Sequence, residues 1–240
     1  MKYKFEIEKR DYSDFASGRV LYNAPNTTAF PVRLAGEIMQ RACEILKNQG
    51  AHSPYRIYDP CCGGAYLLTT IGFLFSDKIS ELIATDLDDA VLRTARQNLA
   101  LLSREGLEKR KHEIEGYLEQ YGKQSHQEAL ASIGRLQALL GANQIDTRCE
   151  QRDITDLSPY PIGGVDIVIT DLPYGNIARW GGAVEDPLPR FFENCHRALK
   201  KNRSVLVITA DKNTKLKNEL FQRVQHFKLG KRQTAFFLPV

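Results

Sequence analysis

The chain has 240 residues, 42% of them hydrophobic and 26% charged, with a formal net charge of +4, which is enough apolar material for the core of one α/β domain spanning residues 1–240. No apolar run reaches the roughly 18 residues that a membrane-spanning helix needs, and the N-terminal residues lack a signal-peptide core, so a cytoplasmic protein without a membrane partner is expected. Five cysteines with no CxxC pair and five scattered histidines argue against a disulfide framework and a zinc site, and no metal is expected.

Residues 1–28 show little periodicity, with Ala24-Pro25-Asn26-Thr27 reading as a turn, and predict an extended arm. Pro31 then opens a helix to about Gln49, with Leu34, Ile38, Met39, Ala42, Ile45 and Leu46 on one face and Gly50 just past its end. Arg33 lies in the first turn of that helix, where a positive side chain opposes the helix dipole; it reads either as a ligand contact or as a plain surface arginine. A short strand, Tyr55–Tyr58, leads into Asp59-Pro60-Cys61-Cys62-Gly63-Gly64, and an amphipathic helix follows over Tyr66–Phe75. Gly63 and Gly64 permit positive φ and close approach of a ligand to the backbone, at the strand end where open α/β sheets bind ligands. The vicinal pair Cys61 and Cys62 reads as small packing residues rather than a redox pair.

The next strand, Leu82–Thr85, ends at Asp86, which lies 23 residues beyond Gly63. That is close to the roughly 20-residue offset of a ribose-binding carboxylate, although a dinucleotide enzyme fits the same pair. Asp88 or Asp89 caps the helix that runs to about Leu102, which leaves Asp86 for a ligand. Residues 105–141 predict an αα-hairpin broken near Gly122, with Ser125 as N-cap and Glu128 completing a capping box. It reads as an insertion that positions substrate or buttresses the sheet, with a solvated charged face. A polar strand, Ile145–Asp153, comes next, and Asp153 suits either a ligand contact or a turn. Strand Val165–Thr170 ends in Asp171-Leu172-Pro173-Tyr174. The loop after it holds the single tryptophan, Trp180, beside Gly181 and Gly182, and reads as a base-stacking side chain. An amphipathic helix over 186–200, a strand Ser204–Thr209, a short helix Asn213–Phe221 and a hairpin around Gly230 complete the chain. Between Arg197 and Arg232, 11 Lys or Arg stand against two acids, a net +9, which leaves −5 for the remainder with its 22 basic and 27 acidic residues. That asymmetry suits a polyanion partner as well as a solvated lysine-rich surface, and marks Lys212 and Lys215 as candidate substrate contacts.

Asp171-Leu172-Pro173-Tyr174 is similar to the Asp/Asn-Pro-Pro-Tyr motif of methyltransferases that act on amino groups, with Leu172 in place of the first proline. Together with Asp59-Pro-Cys-Cys-Gly-Gly, Tyr66-Leu-Leu-Thr, Asn98-Leu-Ala-Leu-Leu and Phe30-Pro-Val-Arg-Leu, it resembles the AviRa-type ribosomal RNA methyltransferases from about Arg19 onward. The resemblance implies a Rossmann-like class I methyltransferase fold: a mostly parallel, seven-stranded sheet with helices on both faces and one antiparallel edge strand. It implies S-adenosylmethionine as cofactor, held by Arg33, Asp59, Cys61, Gly63, Gly64, Asp86 and Asp153. Catalysis then falls to Asp171, Pro173 and Tyr174, and substrate contact to Trp180, Lys212 and Lys215. The implied partner is ribosomal RNA or the large ribosomal subunit, acted on by a monomer at a guanosine. A DNA-adenine or protein-glutamine methyltransferase, or a non-catalytic RNA-binding protein of the same fold, are the other readings.

Overall fold

A computed structural model describes residues 3–24, 29–142, 144–156, 158, 161–172 and 186–240. Seven strands form one sheet: β1 Tyr55–Asp59, β2 Ile79–Asp86, β3 Asp146–Gln151, β4 Ile167–Asp171, β5 Val205–Asp211, β6 Phe221–Leu229 and β7 Arg232–Pro239. Their order is β3-β2-β1-β4-β5-β7-β6. All pairs are parallel except β5 with β7 and β6 with β7, so the antiparallel strand is not at the edge as expected: the tight β6–β7 hairpin folds β7 back between β5 and β6. The chain therefore winds outward from β1 in one direction and from β4 in the other, and the crevice beyond the carboxyl ends of β1 and β4 is the topological switch point. The central strands are buried on both faces, as in β4, where Ile167, Val168 and Ile169 are all inside.

One face of the sheet is covered by α1 Val32–Asn48, α2 Tyr66–Leu74 and α3 Asp89–Ala100, and α4 Arg104–Tyr121 and α5 Gln124–Leu139 pack outside them as part of the same core. The other is covered, among the described residues, by α6 Pro187–Ala198, whose Phe191, Phe192 and Cys195 pack on Tyr58, Val168, Leu206 and Phe237. Pro31 sits at the N-cap of α1, and Gly50 takes positive φ beyond its end, so the proline-first, glycine-last reading holds. Asp88 caps α3 by accepting from the Ala90 N–H. The αα-hairpin is present and breaks at Gly122.

Two local expectations need correction. Ser125 does not cap α5: the helix starts one residue before it, with Lys123 at the N-cap and no side-chain cap, and Glu128 pairs instead with Arg19 at 3.1 Å. The short helix expected over Asn213–Phe221 is absent. Asp211 and Asn218 each take a backbone N–H two residues on, from Asn213 and Leu220, and Gln233 Nε2 donates to the carbonyls of Asp211 and Thr214. Those side chains satisfy the backbone as turns and compete with helix formation.

The hairpin insertion fastens the N-terminal arm. Arg110, buried in α4, donates from Nε to the Val20 carbonyl at 2.9 Å, lies over the Tyr22 ring and pairs with Glu113, which also accepts from Tyr22 Oη. Arg135 of α5 grips Asp14 through two hydrogen bonds of 2.7 and 2.8 Å. Further back, fully buried Glu37 of α1 accepts the backbone N–H groups of Lys4, Phe5 and Glu6 and pairs with Arg41. Burial raises the Glu37 carboxyl, but those donors outweigh it and hold it below the ordinary carboxylate range.

Candidate active site

Three carboxylates stand at the carboxyl ends of adjacent strands: Asp59 closes β1, Asp86 closes β2 and Asp171 closes β4. They flank the switch point because each strand runs parallel to its neighbour and stops at the same edge of the sheet. The turn after β1 is tied to β2 at two points, the Cys62 N–H to the Thr85 carbonyl at 2.9 Å and the Gly63 N–H to Asp86 Oδ2 at 2.8 Å. Gly63 has φ of 52°, a conformation that disfavours any side chain. Gly64 is constrained from outside: a Cβ there would lie 2.7 Å from the Cβ of Ala24 in the arm.

Asp86 is engaged rather than free, since Oδ1 accepts from the Asp88 N–H at 3.0 Å and Oδ2 from Gly63. Each carboxylate oxygen has a second lone pair, so the same bonds that orient Asp86 leave it capacity for a diol. Burial raises its carboxyl. Asp59 accepts from the Cys61 N–H at 3.1 Å, and burial pushes its carboxyl up to about 7. The Cys61 and Cys62 thiols are pushed well above their usual range, mainly by burial and then by these carboxylates, and stay protonated. Asp153 follows β3, where the Arg152 N–H meets the Asp86 carbonyl at 2.9 Å; its Oδ1 accepts from both the backbone and the hydroxyl of Thr155. Its turn role is therefore visible, at a place beside the Asp86 strand end.

Asp171 differs from the others. Its Oδ1 is out of contact with solvent and has no hydrogen-bond partner among the described residues, while Oδ2 lies 3.6 Å from the guanidinium of Arg232 at the start of β7. Burial pushes the Asp171 carboxyl up to about 6, with Arg232 opposing that rise. Leu172, the departure from the proline motif, is buried and donates its N–H to the Thr209 carbonyl at 2.8 Å, a bond that proline cannot make. It carries the β4–β5 ladder one residue past Asp171. Pro173, Tyr174 and Trp180 lie outside the described residues.

Arg33 is engaged by the N-terminal arm. Its guanidinium donates to the carbonyls of Glu6 and Ile7 and lies over the Tyr3 ring at 4.1 Å, so it fastens the arm and leaves the expected contact with the cofactor without geometric support. Lys212 and Lys215 are exposed on the segment after β5, at the same end of the sheet as Asp171. The Lys212 N–H donates to the Lys231 carbonyl in the β6–β7 turn, which gathers Lys212, Lys215 and Lys231 on one rim. Two residues to which sequence reasoning gave no role in the site complete the arrangement. Asn98 is buried in α3, accepts from the Tyr22 N–H at 2.7 Å and donates to the carbonyls of Tyr22 at 3.0 Å and Gly64 at 2.8 Å, so it joins the arm to the glycine turn. Its signal was a polar side chain on the same helical face as Ala95 and Leu99. Arg232 is the other, and nothing in local sequence pairs it with Asp171. Among the described residues no group of His, Cys, Asp and Glu is arranged to hold a metal ion.

The matched family, rRNA methyltransferase AviRa, covers residues 1–232. The chain belongs to the AviRa family. A relative from Streptomyces viridochromogenes, a 23S rRNA (guanine(2535)-N(1))-methyltransferase, is 38% identical over 97% of this chain and 94% of its own length. The solved structure of the AviRa rRNA methyltransferase from the same organism superposes with a TM-score of 0.87 at 34% identity, covering 99% of this chain and 96% of that one. A putative methyltransferase, YhhF of Escherichia coli, shares the fold at a TM-score of 0.53 and 10% identity, over 90% of each chain. The AviRa fold accounts for the seven-stranded mixed sheet with its Rossmann-like core, and membership of the family makes this chain an rRNA methyltransferase.

Proposed function

We propose that this AviRa-family protein transfers a methyl group from S-adenosylmethionine to N1 of a guanine in 23S ribosomal RNA. The observation that carries the reading is Asp171: a half-buried carboxylate at the switch point whose Oδ1 is buried and unpartnered among the described residues, as a proton acceptor for a base inserted there needs to be. The residues present suit the cofactor. Asp86, oriented by two backbone N–H groups, would take the ribose hydroxyls; the turn at Asp59, Cys61, Gly63 and Gly64 would lie along the amino-acid portion; and the end of β3 at Asp153 would border the adenine. When bound, S-adenosylmethionine supplies an electrophilic methyl group on a sulfonium.

The remaining chemistry belongs to the protein. Guanine N1 carries a hydrogen, so transfer requires that the proton leave as the new bond forms. Asp171 Oδ1 would accept the N1 proton and leave the electron pair on nitrogen for the incoming methyl group, whose former bonding pair would stay with sulfur; the proton would later pass to solvent. A carboxyl near pH 6 is largely ionised at neutral pH yet retains more basicity than an ordinary aspartate. Positioning supplies much of the acceleration, because displacement at carbon needs nucleophile, methyl and sulfur in line. Pro173, Tyr174 and Trp180 are proposed to aim a carbonyl and stack on the base, and Lys212 and Lys215 to neutralise RNA phosphates.

Offering methyl-tritiated S-adenosylmethionine with 23S rRNA, intact large subunits, duplex DNA and total protein, side by side, tests this reading. Label is expected in ribosomal RNA alone. Label in DNA or protein, or in none of them, overturns it.

A further inference from the structure

The Asp171–Arg232 pair holds more than a surface contact. Arg232 opens β7 directly opposite Asp211 of β5, and β5 pairs in turn with β4, so the guanidinium reaches Asp171 across an intervening strand. Its Cζ lies 5.5 Å from the centroid of the Phe30 ring, which packs it between the start of α1 and the end of β4. Both partners are mostly shielded from solvent, with about a fifth of each side chain exposed. The contact is one-sided, with Oδ2 facing the arginine and Oδ1 left unpartnered. Among the described residues, Asp59 at the end of β1 is the acid coupled to this carboxylate, with Asp86 next to Asp59 on its far side, and Asp211 of β5 pairs with Arg232. Arg232 is the cation that opposes the rise of the Asp171 carboxyl.

We propose that Arg232 is a positioning residue for methyl transfer: from β7 it holds Asp171 by Oδ2, keeping the carboxylate ionised and turned so that Oδ1 meets the N1–H of the substrate guanine. The inference rests on the reading of Asp171 as proton acceptor given above. A carboxylate amid other carboxylates protonates more readily, and removal of a facing cation raises its pKa further, by roughly one pH unit for a partly shielded pair. Burial already holds Asp171 at about 6, so the change falls within the working range of the enzyme.

The test compares full-length wild type, Arg232→Gln and Arg232→Lys under single-turnover conditions between pH 5 and 9, with 23S rRNA as substrate. Aspartate side-chain carboxyl resonances are titrated in parallel by carbon NMR, with Asp171 assigned through Asp171→Asn. For Arg232→Gln, the rising limb of the pH–rate profile and the Asp171 titration are both expected to move upward by about one unit. The rate defect is then about fivefold greater at pH 6 than at pH 8, affinity for S-adenosylmethionine is unchanged, and Arg232→Lys restores most of the rate. If Arg232→Gln lowers only the melting temperature, with the limb and the Asp171 titration unmoved, Arg232 is a structural brace and the proposal fails. A wild-type enzyme that makes no N1-methylated guanine would instead overturn the reading of Asp171 itself, whatever Arg232 does.

Discussion

Asp59 and Asp86 separate by what surrounds them. Asp59 is fully enclosed, and its carboxyl rises to about 7, so the folded protein binds a proton there that the unfolded chain, with an ordinary aspartate, releases. The folded state thus holds more protons between about pH 4 and 7, and this group makes the fold less stable as pH rises through that window. Asp59→Asn keeps an acceptor for the Cys61 N–H and removes the charge. It is expected to raise the melting temperature at pH 8, by on the order of 2 kcal/mol in stability, with the gain shrinking towards pH 5. A gain independent of pH, or a drop in stability, would show that Asp59 is ionised at little cost. For Asp86 the expectation is opposite in kind. Asp86→Ala removes charge-assisted bonds of roughly 1.5–3 kcal/mol each and should weaken S-adenosylmethionine binding at least tenfold by calorimetry. Unchanged affinity in a folded variant removes it from the site.

At the scale of elements, the arm, the glycine turn and α3 meet at Asn98, and the turn takes its shape from this junction as much as from its own glycines. Asn98→Ala strips one acceptor and two donors from buried partners. It should destabilise the protein by roughly 2–4 kcal/mol, with faster hydrogen exchange at the Tyr22 amide. A melting temperature and exchange rate like those of wild type would mean that Arg110, Glu113 and Arg135 hold the arm without it. Strands β1, β2, β4 and β5, helix α1 and the hairpin insertion were legible because apolar periodicity and end signals agree there. The cap at Ser125 and the helix at Asn213–Phe221 were misread because the deciding partners, Arg19 for Glu128 and Gln233 for the 211–214 carbonyls, are over 100 and about 20 residues away in sequence. The arm contacts of Arg33 were not legible either, since its partners are carbonyls of an arm that has no periodicity to reveal where it lies.

For the whole molecule, the basic segment divides between the two ends of the sheet: Lys200, Lys201 and Arg203 precede β5, whereas Lys212 follows it at the end where Asp171 stands. Lys212, Lys215 and Lys217 are exposed on the segment between β5 and β6, and the β6–β7 turn brings Lys231 beside Lys212. If these lysines meet RNA phosphates, changing the first three to alanine should reduce the log–log salt slope of rRNA binding by about 0.7–0.9 for each phosphate no longer neutralised, with cofactor affinity unchanged. A slope that stays as it was returns them to solvent. The sequence displayed the excess of positive charge and the three strand-end acids, and the motifs around Asp59 and Asp171 resembled the family to which the chain belongs. It did not display the one-sided environment of Asp171, which arises from β7 folding back beside β5 and cannot be read from spacing.

The central claim is tested most directly by nucleoside analysis. After 23S rRNA is incubated with the full-length protein and S-adenosylmethionine, the RNA is digested and its nucleosides are resolved by liquid chromatography and mass spectrometry. The expected product is 1-methylguanosine, formed about 10²–10³ times more slowly by Asp171→Asn while its cofactor affinity remains. Methylation at another base or another guanine nitrogen, or 1-methylguanosine formed by Asp171→Asn at the wild-type rate, would contradict the assignment of Asp171 as the group that takes the proton from guanine N1.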